Sequence, residues 1–247
     1  MATGKLTERL TQKFYDKSSH PYRIFEAEIA RWLTPETVIL DAGCGRSVEI
    51  ASIVSRCRVK MALGVDVIRF PVKKPGCHLV QGDVGKLPVR SASSDVVITR
   101  SVMEHVQNPV EVYREFYRVL RPGGVCVILT PNVWDYASIG SRLIPNRFHP
   151  WLVKRMEGRD EADTFPAYYR ANSLRAIRRL ADDTGFHVEV ERCLGQYPAY
   201  FMFNPILFLL GTVYDKFVCR FDRLRQLRGW LLINLRKPRE VAGKRSA

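Results

Sequence analysis

The chain has 247 residues, 46% of them apolar, with a formal net charge of +14. This length suits one domain with insertions rather than two full domains, and the apolar share is enough for a large core. The six cysteines are scattered with no C-x-x-C pair, so neither a zinc site nor a disulfide framework is signalled and no metal is expected.

The opening residues, MATGKLTERL, are polar and helical in character and lack the apolar run of a secretory signal. A reducing cytoplasm is therefore the expected location. We read residues 1–35 as an N-terminal helical cover and 36–247 as the main domain. Residues 38–40 form a short apolar run that ends at Asp41 and a glycine turn. Ile50, Ile53, Val54 and Cys57 then recur at helical spacing. Further strands are predicted over 60–65, 77–80 and 95–99. Pro109 suits a helix start, and Val112, Tyr113, Phe116, Tyr117, Val119 and Leu120 give that helix an apolar face. Arg121-Pro122-Gly123-Gly124 breaks it, and a fifth strand is predicted over 125–130. Short buried runs separated by helices predict an α/β fold, a doubly wound and mostly parallel sheet.

Regular alternation lapses over 131–170, a stretch rich in proline, aromatics and arginine that we read as a lid insertion. A helix follows, with Leu174, Ile177, Leu180 and Ala181 on one face and Gly185 as its stop. Residues 186–190 and 230–235 read as strands six and seven, and residues 241–247 as a disordered tail. Between the last two strands, 195–229 forms an apolar and then basic insertion. Its apolar part, 199–213, is expected to be interrupted by Pro205. As a helix that part would reach only about 22 Å, short of a bilayer core.

Three acidic residues mark three successive strand ends. Asp41 precedes Gly43 and Gly45, whose bare backbone lets a ligand approach. A dinucleotide fingerprint wants Gly or Ala where this chain has Val48, which counts against NAD or FAD. Asp66 can accept from both hydroxyls of a ribose, or simply hold a turn. Asp83 can accept from an adenine amine while Val84 packs on the ring, or again hold a turn. In a parallel sheet these ends line one crevice.

In the segments VILDAGCGRS, GVDV, QGDVGKLP, SSDVVITRSVMEHVQNP and VLRPGGVCVILTPN the chain resembles the class I S-adenosylmethionine-dependent methyltransferases, notably the group that includes quinone-biosynthesis methyltransferases. The resemblance covers residues 36–133 well and the final strands more loosely. It implies S-adenosyl-L-methionine as cofactor. Asp41, Gly43 and Gly45 would shape its methionine end, Asp66 would hold the ribose, Asp83 and Val84 would frame the adenine, and Val67 would also belong to the cofactor site. Arg100 and Ser101 would pass beside the methyl-bearing sulfur. The family usually has a third glycine where this chain has Ser47, a small residue that can cap the helix.

Transfer from a sulfonium is a direct displacement, so the protein mainly aligns the reactants, and a base is needed only for a hydroxyl acceptor. His105, His149 and Tyr136 are the candidates to act on the acceptor; each also has a plain structural reading, as helix start, surface loop and loop packing. Asn132 could touch substrate and Tyr15 could cover the cofactor. Arg142, Arg147, Arg155 and Arg159 of the lid suit an anionic acceptor or a solvated face. The expected function is methylation of a small-molecule, lipid-linked or glycan-type acceptor. The alternatives are an RNA methyltransferase or a non-catalytic S-adenosylmethionine-binding regulator. No appended RNA-binding motif and no NPPY- or DPPY-like loop is found, so a nucleic-acid partner is not favoured. The apolar stretch beside Lys216, Arg220, Arg223, Arg225 and Arg228 suits peripheral docking on the inner, anionic face of a membrane, or a helix packed on its own domain or a dimer interface.

Overall fold

The structure, a computed structural model, describes residues 2–46, 48, 50–70, 75–136, 138–139 and 165–239. Helices α1 (Ala2–Phe14) and α2 (Pro21–Ala30) lead into β1 (Val38–Ala42), α3 (Ile50–Val54), β2 (Met61–Asp66), β3 (His78–Gln81) and β4 (Ser94–Arg100). Then come α4 (Pro109–Val119), β5 (Leu120–Pro131), α5 (Leu174–Thr184), β6 (His187–Leu194), α6 (Pro205–Arg220) and β7 (Trp230–Arg236).

The strands form one seven-stranded sheet in the order β3-β2-β1-β4-β5-β7-β6. Only β7 runs antiparallel to its neighbours. The other six therefore end at one edge. The chain winds outward from β1 through β2 to β3, then returns to β4 on the other side of β1. That reversal opens a crevice at the carboxyl edge between β1 and β4.

Alternation along the strands feeds two cores. Leu40, Val97, Cys126 and Ile128 face α4 and α5, where Val112, Tyr113, Phe116, Ile177 and Ala181 are buried. Ile39, Val96, Ile98, Val127 and Leu129 face Phe25 and Ile29 of α2 and Ile50 and Ile53 of α3. Pro109 starts α4 at its first turn. Helix α5 begins at Ser173, whose side chain accepts from the Ala176 N–H, and stops at left-handed Gly185 (φ 82°).

The structure differs from the sequence expectation at three boundaries. Arg121-Pro122-Gly123-Gly124 does end α4, but it lies inside β5, which starts at Leu120; left-handed Gly123 and a register slip between Ser94 and Val96 absorb the irregularity. Strand β6 runs on to Leu194. Pro205 does not interrupt a helix but starts one: it occupies the first turn of α6, where a missing N–H costs nothing, behind an Asn204 cap. Ser47, residues 140–164 of the lid with its four arginines and His149, and the 241–247 tail lie outside the described residues. Among the described residues no helix is long and apolar enough to cross a membrane.

Candidate active site at the carboxyl edge of the sheet

The glycine turn after β1 is latched to β2: the N–H groups of Gly43 and Cys44 both donate to the Val65 carbonyl, at 2.7 and 3.2 Å. Gly43 (φ 82°) has no room for a side chain, because a Cβ there would sit 2.2 Å from Val102 Cγ2. Gly45 (φ 61°) is the reverse case, since its Cβ would meet nothing within 4 Å. Bare backbone thus faces open space. Its N–H donates to Asp66 Oδ2 at 2.8 Å, and Asp66 Oδ1 accepts from the Ile68 N–H at 3.2 Å. One carboxylate therefore joins two loops. Each oxygen retains a further lone pair, so the turn reading and the ligand reading of Asp66 are compatible.

The other predicted residues lie along the same edge. Asp41 is buried next to the end of β1. Val67 is exposed, and its carbonyl accepts from Gln81 Nε2 at 2.8 Å. Asp83 Oδ1 accepts from the Gly85 N–H at 2.7 Å, while half-buried Val84 packs against the α4 core. Asp41, Gly43, Cys44 and Arg100 line a small pocket beneath α2. Burial first, then the charges of Asp41 and Asp66, hold the Cys44 thiol well above its ordinary range, so it stays protonated.

Arg100 closes β4 with its guanidinium 4.2 Å above the Tyr22 ring. Ser101 follows in a left-handed conformation (φ 55°), with a buried Oγ that has no partner among the described residues. Glu104, buried in the next turn, accepts from Thr130 Oγ1 (3.3 Å), which in turn accepts from Asn172 Nδ2 (2.6 Å). His105 Nδ1 lies 3.0 Å from the Pro166 carbonyl. A carbonyl only accepts, so that nitrogen carries the proton. The other nitrogen is 4.0 Å from the Glu104 carboxylate. His105 thus clasps the turn after β4 to the chain near residue 166, a positioning arrangement.

Beyond β4 the edge is aromatic. Tyr22 meets Trp230 edge-on (5.5 Å), His20 lies 5.0 Å from Tyr22 and 5.7 Å from Tyr197, and Tyr15 follows at 6.1 Å from Tyr197. Tyr136 stacks on Phe201 (5.7 Å) and touches Tyr214 edge-on (5.3 Å). Its hydroxyl is buried without a partner among the described residues. Burial first, and the nearby Asp135 next, push the phenol far above its ordinary value. Asn132 Nδ2 is spent on the carbonyls of Gln226 and Arg228, at 2.6 and 2.9 Å. His20, Tyr22, Tyr197 and Trp230 were not found from sequence, because the His20–Tyr22 pair, Tyr197 and Trp230 lie in segments far apart in the chain that only the fold gathers. His20-Pro21, a cap residue followed by a helix-starting proline, was the nearest local signal. No group of three or more His, Cys, Asp or Glu side chains placed to hold a metal occurs among the described residues.

Residues 40–128 match the family described as "Methyltransferase domain". The chain is 35% identical over 114 residues to a probable S-adenosylmethionine-dependent methyltransferase of Mycolicibacterium smegmatis, a match covering 45% of this chain and 44% of that protein. It is 27% identical over 132 residues to the trans-aconitate 2-methyltransferase of Deinococcus radiodurans, covering 51% of this chain and 49% of that one. The chain thus spans about half the length of these relatives, or a little less. In fold it is similar to an S-adenosylmethionine-dependent methyltransferase of Mesorhizobium loti, at TM-score 0.57 and 19% identity over 86% of this chain and 97% of that one.

Proposed function

We propose that this chain is a class I S-adenosylmethionine-dependent methyltransferase, a reading supported by the match of residues 40–128 and by the relatives, and that it methylates a small-molecule, lipid-linked or glycan-type acceptor by direct displacement. S-adenosylmethionine supplies a methyl group already activated on a sulfonium. The chain's own part is alignment, for which effective molarities of about 10⁵–10⁸ M are available. The observation that carries the reading is the row of Asp41, Asp66 and Asp83 along the ends of β1, β2 and β3, with the bare backbone of Gly45 between the first two. Asp66 would accept from the ribose hydroxyls while still holding the glycine turn. Val84 would pack on the adenine, with Asp83 accepting from its amine. Ser101 Oγ, which has no partner among the described residues, would find one beside the methionine end.

The aromatic edge from Tyr22 to Tyr136 lies beyond β4, where the acceptor would enter, and it supports an acceptor with a substantial apolar part. Burial favours the protonated phenol of Tyr136, so we assign it to shaping the pocket by its ring rather than to acting as the base. Calorimetry with S-adenosylmethionine and with its demethylated product tests the cofactor. Labelled-methyl transfer to separated lipid, glycan and small-molecule fractions then tests the acceptor. Purified, folded protein that gives no heat with either compound would end the proposal. Label entering only bulk RNA would replace the acceptor class.

A further inference from the structure

We infer that the outer face of α6 docks this protein on an anionic lipid bilayer. The helix is two-faced at about 100° per residue. Phe208, Gly211, Thr212, Asp215 and Val218 are buried on one side. On the opposite side Ile206, Leu210, Val213 and Phe217 stand in one stripe, 69%, 63%, 66% and 56% exposed. Phe203 before the helix and Phe221 after it, 59% and 48% exposed, prolong the stripe at both ends. A run of large apolar side chains this exposed marks an interaction surface.

Charge selects the occupant. Asp215, the acidic residue in α6, is on the buried side, and exposed Asp222 is the one acid beside the cations that follow the helix. Exposed Lys216 and Arg220 flank the stripe, and exposed Arg223 follows it. A second copy would bring these cations against their own kind, across a chain already at +14. An anionic leaflet instead takes the apolar stripe into its interface and the cations among its headgroups. Helix α6 also reaches the candidate acceptor end, since its Tyr214 touches Tyr136. The docked face would therefore bring a lipid-linked acceptor to that end. That consequence rests on the methyltransferase reading; docking itself is measured without turnover, so the two fail separately.

The test is flotation of the full chain with vesicles of neutral phosphatidylcholine, alone or mixed with anionic phosphatidylglycerol. We expect recovery with the mixed vesicles, little with the neutral ones, and weakening as salt is raised to about 0.5 M. Leu210→Glu/Val213→Glu should abolish recovery while the thermal melt is kept. Arg220→Gln/Arg223→Gln should weaken binding roughly 30-fold. Equal recovery with both vesicle types, or none with either, overturns the inference. So does a dimer in solution that the Leu210→Glu/Val213→Glu pair dissociates, which would assign the face to a second copy.

Discussion

Gly43 and Gly45 share a left-handed backbone but are glycines for different reasons, and this separates stability from binding residue by residue. Gly43→Ala adds a Cβ against Val102 to an unfavourable φ, and we expect it to cost about 3 kcal/mol in urea unfolding. Gly45→Ala meets only the φ penalty, about 1 kcal/mol, yet fills the space where a ligand would approach; S-adenosylmethionine affinity should fall at least about 10-fold by calorimetry. Asp66→Ala frees the N–H groups of Gly45 and Ile68. It should cost about 1–2 kcal/mol of stability and a larger loss of affinity; unchanged affinity would remove Asp66 from the ribose. Tyr136→Phe deletes a buried hydroxyl that has no partner among the described residues. Methyl transfer should survive with stability equal or higher, and a kcat loss of about 100-fold would show that the hydroxyl acts in the reaction. The acids were legible in the sequence because apolar runs end at them. Their second bonds were not, because Gly45 and Asp66 meet only once β1 and β2 pair.

At the scale of elements, periodicity found α4 and α5 because each buries one continuous face on the sheet. It misjudged β5 and Pro205, where one residue type has two uses: glycine and proline end α4 but also bend β5, and proline can open a helix as well as break one. The cap of α2 makes a pH prediction. His20 Nδ1 accepts from the Tyr22 N–H at 3.2 Å. Burial first, then Arg23 and Arg100, lower its pKa below the ordinary 6.5. The folded state thus prefers neutral His20. Its contribution is fully present above pH 6.5 and is lost as pH falls through the lowered value, because the unfolded chain takes up the proton more readily. His20→Asn keeps an N-cap acceptor without a titrating group. Thermal melts of this variant should lose less stability than the parent between pH 7 and pH 5. Parallel melting curves would show that His20 does not titrate with unfolding.

Across the whole molecule, alternating strands and helices made the α/β class legible, whereas the insertion of β7 between β5 and β6 was not. A strand's neighbours are set by which faces and edges close the sheet, information that no local window contains. The same distance in sequence hides the tie between the two ends of the chain. Asn234 of β7 donates to Glu28 Oε1 of α2 at 2.6 Å, with both side chains buried. Phe25 and Ile29 lie in the same core as Leu232. Residues 1–35 therefore supply part of one wall of a core, and their removal would bare the part of the sheet face that α3 does not cover and leave buried Asn234 without that acceptor. Losing two buried aromatic or aliphatic side chains alone costs several kcal/mol, comparable to the whole stability of a typical domain. We expect a chain starting at residue 36 to aggregate, or to elute expanded with no cooperative melt. A cooperative transition at the parent's temperature would instead make the N-terminal segment a separable cover, and would place the stability of the sheet in α3 and the α4 and α5 layer.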